Sequence, residues 1–140
     1  MLVFHLVATF TLGATLGTVF QLAHCVAAAD FPEPAPTKQR AKSDWATHQL
    51  ETTVDFAPQS ALLTWFVGGL NFQVVHHLFP KVCHLHYPAL ARIVASVADK
   101  HGLRYRSHPT FASAIASHVR HLRAMGREVE RAAVPVAAPA

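Results

Sequence analysis

The chain has 140 residues, of which 51% are hydrophobic and only 14% charged, a balance that disfavours a wholly soluble domain. Its net charge of +4 raises nucleic acid as a partner, but the arginines are spread out and no aromatic-basic recognition motif accompanies them, so an anionic membrane surface is the expected partner. Two cysteines, Cys25 and Cys83, are too few for a disulfide framework and are compatible with a reducing cytoplasmic face.

The first formal charge is Asp30, so residues 1–29 form an uncharged stretch longer than the roughly 20 residues that cross a bilayer core. This predicts one transmembrane helix, from Phe4 to about Val26, with Gly13, Ala14 and Gly17 small enough to admit a neighbouring helix. Ala27-Ala28-Ala29 also has the form of a signal-peptidase site. Against cleavage, no Lys or Arg precedes the apolar run, and the run exceeds the roughly 7–15 residues of a signal core. All twelve Lys and Arg residues lie at or after Lys38, which predicts an outside N-terminus and a cytoplasmic C-terminal region.

Residues 30–43 read as a loop leaving the bilayer, with Pro32, Pro34 and Pro36 followed by Lys38, Arg40 and Lys42. Ser43 or Asp44 offers an N-cap for a helix through Trp45, His48, Leu50 and Thr53. The uncharged run from Ser60 is long enough for a single helix stopped by Pro80, and its Asn71, Gln73, His76 and His77 must face protein, metal or water. Pro88 and Gly102 bracket a helix with Leu90, Ile93, Val94 and Val97 on one face. A second amphipathic helix follows, with Phe111, Ile115, Val119, Leu122 and Met125 as its stripe and Arg120, Arg123 and Arg127 opposite. Residues 44–131 thus form a helical cytoplasmic or interfacial region, and the Ala/Pro-rich residues 132–140 a tail predicted to be disordered. The expected fold is all-α, with one transmembrane helix and interfacial helices.

Eleven histidines outnumber the eight carboxylates, and imidazole is the commonest metal ligand among side chains. On one helix His76 and His77 diverge by about 100°, with Gln73 projecting between them one turn earlier. Adjacent histidines are hard to aim at one ion but can serve two neighbouring ions. A bare His-His pair is a short pattern, equally compatible with solvated or hydrogen-bonded histidines. His84 and His86 read as outer donors or loop residues, and His101, His108, His118 and His121 as surface residues.

Context decides between these readings. The run Gly68-Gly69-Leu70-Asn71-Phe72-Gln73-Val74-Val75-His76-His77 resembles the third histidine box of membrane fatty acid desaturases, of the front-end and related bacterial type whose box is Q-x-x-H-H after G-G-L-N. Phe20-Gln21-Leu22-Ala23-His24 and Trp45-x-x-His48-Gln49-x-x-Thr52-Thr53 resemble the segments before that box, and Tyr87-Pro88-Ala89-Leu90 and Gly102-Leu103-x-Tyr105 those after it. The resemblance covers roughly Phe20 to Met125.

The resemblance implies a partial desaturase fold and oxygen-dependent removal of two hydrogens from a long acyl chain at a non-haem diiron centre held by histidines. It implies Gln73, His76 and His77 as the box, His48 as an added ligand, and His24 as a weaker one. The family's H-x-x-x-H and H-x-x-H-H boxes do not occur upstream in this sequence, so these residues would form only part of a diiron site. The expectation is a C-terminal portion of a desaturase, inactive alone, from a truncated or split gene. Its expected partners are membrane lipid, the acyl substrate, an electron-donor protein and the missing N-terminal half. The rival reading is a small non-enzymatic membrane protein with a histidine cluster.

Overall fold

The structure, a computed structural model, describes residues 1–32 and 45–133. The basic part of the 30–43 loop, the proposed Ser43 or Asp44 cap and residues 134–140 lie outside the described residues.

Helix α1 spans Leu2–His24 and is apolar on every face, so no side of it selects a protein core. At about 1.5 Å per residue it is roughly 35 Å long, enough to cross a bilayer, and its length and composition pass that test alone among the described helices. Only Val19, Leu22 and Ala23, near its C-terminal end, are buried in it. There the chain turns back, and Val54 donates its amide to the Ala23 carbonyl at 2.9 Å.

Helix α2 (Trp45–Thr52) leads into β1 (Asp55–Phe56), which pairs in parallel with β2 (Ser107–His108), Asp55 opposite Ser107 and Phe56 opposite His108. This short bridge was not anticipated, and it leaves the class all-α. Helix α3 (Ala61–Phe66) starts at Ser60, whose hydroxyl accepts from the Leu63 amide at 3.3 Å.

The single helix expected between Ser60 and Pro80 is broken. Gly68 and Gly69 adopt φ of +59° and +78°, and the chain restarts as α4 (Gln73–Leu78). Gly69 is required twice over. Its left-handed backbone favours glycine, and a Cβ there would lie 2.8 Å from the His84 Cβ and 3.2 Å from the Tyr87 ring. Pro80 does follow the end of α4, as anticipated.

A 3-10 turn (His84–His86) runs into α5 (Tyr87–Lys100), with Pro88 in its first turn and Gly102 at φ +69° just past its end. Helix α6 (Phe111–Ala133) opens on a reciprocal box in which Thr110 and Ser113 each accept the other's amide at 3.1 Å. It extends two residues into the segment read as a tail. Its buried positions are Ala114 and Ser117, whereas the stripe of Phe111, Ile115, Val119, Leu122 and Met125 lies exposed.

The core is a set of small clusters beneath the end of α1. Val19, Leu22 and Ala23 pack with Phe56, Ala57 and Ala114. Phe72 and Val75 pack with Tyr87 and Ala91, and Leu50 and Val74 with Ala98. Both faces of α4's first turn are thereby fixed.

Candidate metal centre

Three elements converge on the histidines of α4. His77 is half-buried, and its ring centroid lies 5.0 Å from that of His24 at the end of α1 and 6.0 Å from that of His76. His77 Nδ1 donates to Gln49 Oε1 on α2 at 2.7 Å. His76 Nδ1 lies 3.1 Å from the Tyr87 hydroxyl at the start of α5. Each Nδ1 is thus engaged within the protein, which leaves Nε2 as the nitrogen for an external partner. Desolvation, reinforced by the neighbouring His24 and His76, holds the His77 imidazole below its ordinary pKa and hence neutral at pH 7.

Gln73 lies fully buried one turn before His77, and neither its Oε1 nor its Nε2 has a hydrogen-bond partner among the described residues. A buried amide without partners is expensive, so its presence in a native core calls for an absent one. Neutral imidazoles and an amide are nitrogen and oxygen donors of the kind iron accepts. The set fits part of an iron shell, not a whole one. Among the described residues no three His, Cys, Asp or Glu side chains form a group that could hold a metal ion.

Of the five anticipated ligands, His24 and His76 each approach His77, and Gln73 is buried one helical turn before it. His24 was the weaker expectation, and the turn that brings Val54 back to Ala23 carries it to His77. His48 is exposed on α2, and the side chain that reaches the box from that helix is its neighbour Gln49. One residue on a helix is a turn of about 100°, so both cannot point inward. Of the four histidines read as surface residues, only His101 is fully exposed, and His108, His118 and His121 are partly buried. His118 Nδ1 donates to the Cys25 carbonyl at 2.6 Å, and His108 Nε2 has no hydrogen-bond partner among the described residues. His121 stacks on Phe31 with centroids 4.7 Å apart.

Beneath the box, Asp55 Oδ1 accepts from the Val74 amide at 2.9 Å and Oδ2 from the Tyr105 hydroxyl. Burial pushes this carboxyl up to about 7 against the opposing pull of its two donors. Burial and the adjacent Asp55 push the Tyr105 phenol up. Neither residue was assigned a role from sequence. The only local sign was an acid between Val54 and Phe56.

The sequence model of the fatty acid desaturase family matches residues 1–109 of the chain. The chain belongs to the fatty acid desaturase family. It is 43% identical over 121 residues to the sn-1 linoleoyl-lipid 6-desaturase of Synechocystis, covering 86% of this chain and 34% of that protein. It is 43% identical over 114 residues to the acyl-lipid (8-3)-desaturase of Physcomitrium patens, covering 81% and 23%. With the Delta(5) fatty acid desaturase A of Dictyostelium discoideum the identity is 38% over 140 residues, covering 98% and 30%. The chain spans about a third or less of the length of these relatives. No solved structure matches it. These relatives are named as linoleoyl-lipid 6-, acyl-lipid (8-3)- and Delta(5) fatty acid desaturases, in agreement with the desaturase resemblance of the Q-x-x-H-H run.

Proposed function

We propose that this chain supplies one histidine-bearing part of a fatty acid desaturase acting on long acyl chains at a membrane, with His24, His76 and His77 as iron ligands and the Gln73 amide as a further donor. The observation that carries it is the approach of His24 to His77 across two separate elements, with Gln73, one helical turn before His77, buried and without a partner among the described residues. Bound iron would supply the oxygen-dependent oxidising power that an unactivated C–H bond requires.

The remaining work falls to the chain's own groups. Gln49 and Tyr87 hold Nδ1 of His77 and His76, which directs their Nε2 atoms outward. Desolvation keeps His77 unprotonated, so no proton competes for its lone pair near pH 7. An apolar groove of about 690 Å³, lined by Leu50, Leu78, Phe79, Val94 and Leu103 among others, begins one residue past His77 and offers walls suited to an acyl chain. The basic residues from Lys38 onward favour a cytoplasmic C-terminal region. The other histidine boxes and an electron donor would come from outside this sequence.

The test is co-expression with a desaturase segment bearing the H-x-x-x-H and H-x-x-H-H boxes, in a host lacking the product, with fatty acids profiled by gas chromatography. New unsaturated chains are expected from the pair and not from this chain alone, and they are expected to vanish in a His76→Ala/His77→Ala double variant. Product from the lone chain, or from the double variant, overturns the reading. A reporter fused after Ala140 checks orientation, and activity confined to the outer side overturns the cytoplasmic placement.

A further inference from the structure

The side chains around His77 come from three elements: α1 with His24, α2 with Gln49, and α4 with His76 and His77. Their relative placement needs a physical cause. Helix α4 has only six residues, and its N-cap, Phe72, offers no side-chain acceptor. A helix that short is not stable in isolation, so its direction is set by what holds its first turn.

Apolar packing of Phe72, Val74 and Val75 seats that turn, and its polar anchor is Asp55. Its Oδ1 accepts from the Val74 amide at 2.9 Å, two residues before His76. Its Oδ2 is in turn held by the Tyr105 hydroxyl, fifty positions along the chain. The next residue, Arg106, donates to the Ala28 and Glu51 carbonyls, both at 2.9 Å, and pairs with Asp30. Those carbonyls close the exits of α1 and α2. One two-residue stretch therefore anchors all three elements that meet at His77. A carboxylate buried to this degree is an expensive way to cap a helix, since a neutral Ser, Thr or Asn would serve.

We propose that Asp55, held by Tyr105, is a positioning residue for the metal-binding histidines: its carboxylate fixes the first turn of α4 and so the directions of His76 and His77 relative to His24. This rests on the reading of those histidines as ligands. A slip at Val74 turns the short helix as a unit, which displaces both imidazoles and leaves the rest of the chain in place.

The experiment uses the full chain in lipid nanodiscs, with Co²⁺ as the probe read by its d–d absorption and amide exchange as a metal-independent readout. Tyr105→Phe removes one hydroxyl and keeps the ring, and it stays informative should Asp55→Ala fail to fold. Both variants are expected to weaken Co²⁺ binding about tenfold or more, the usual effect of losing an outer support of a metal ligand. They are also expected to speed exchange at Val74, His76 and His77 while α5 stays protected. Asp55→Asn keeps an oxygen for the Val74 amide and an amide to donate to the tyrosine oxygen, so its affinity should return to within about threefold of the parent.

Unchanged affinity and unchanged α4 exchange in folded Tyr105→Phe and Asp55→Ala overturn the proposal. An Asp55→Asn variant as weak as Asp55→Ala does so too, because charge and not placement would then matter. If the parent chain fails to bind Co²⁺, the ligand reading falls, and α4 exchange in Tyr105→Phe still decides whether this pair sets the helix.

Discussion

The two ends of α1 live under different rules. From Met1 to Leu12 every residue is exposed, including Phe4 and Phe10 at 75% and 76%, whereas Leu22, Ala23 and Val26 at the other end are sealed at 1% or less. The sequence is equally apolar throughout, so hydrophobicity alone does not decide burial. The difference is the neighbourhood: the last two turns meet Phe56, Ala57 and Ala114, and the first turns stay exposed among the described residues. The exposed residues Leu62, Trp65 and Phe66 of α3 and the stripe of α6 share the condition of the first turns. Only lipid or further helices can cover such surfaces stably.

Paired substitutions sharpen this contrast. Phe56→Ala, in the sealed region, should cost about 4 kcal/mol of stability through lost burial and a residual cavity, while Phe10→Ala should leave stability within about 0.5 kcal/mol. Chemical unfolding in mild detergent measures both, and equal effects would erase the distinction between the ends.

The glycines divide the same way. Gly69→Ala must accept a left-handed backbone and a Cβ 2.8 Å from His84, so a loss of about 3 kcal/mol is expected. Gly17→Ala has nothing within 4 Å and should be neutral or stabilising by up to about 1 kcal/mol. The same unfolding assay ranks them.

Asp55 supplies a pH test confined to the sealed region. Folding raises its pKa from 3.8 to about 7, so between those values the folded state holds a proton that the unfolded chain has released. The contribution of this group is therefore full below about pH 4 and is lost as pH rises toward 7. Stability of the parent relative to Asp55→Asn should fall across that window by at least about 1.4 kcal/mol, the worth of one pKa unit. A flat difference would mean that the carboxyl titrates as if exposed.

The smallest expected contrast lies on α2. Gln49→Ala frees His77 Nδ1 and should weaken Co²⁺ binding about tenfold, whereas His48→Ala should stay within about threefold, its ring being exposed. The reverse order would favour His48 over Gln49 as the contribution of α2 to the metal centre.

The helices that punctuate themselves were readable from the sequence. α1 announced itself by an uncharged run, α5 by Pro88 and Gly102, and α6 by its periodic stripe, because each signal lies within or beside the element. The histidine box was legible only through its resemblance to the third box of the desaturase family, since the bare His-His spacing is compatible with solvated histidines. The break at Gly68 and Gly69 was not, since the need for a missing Cβ is created by His84 and Tyr87, fifteen or more residues later. His24 and Gln49 became neighbours of His77 only through a chain reversal fixed by Val54, Arg106 and Asp30, none of which marks itself locally. Periodicity likewise found the α6 stripe without showing that it faces outward. Amphipathicity identifies two faces and does not say which solvent each will meet.

The backbone bond between Val54 and Ala23 ties the histidine cluster to the last turn of α1 with no slack. With α1 across a bilayer, the cluster's height is set by that helix as by a ruler: each residue added or removed upstream of His24 shifts it by about 1.5 Å and turns it by about 100°. A thicker or thinner host membrane would tilt α1 and carry His24 with it. Lipid composition thus becomes a variable of where the histidine cluster sits relative to the bilayer surface.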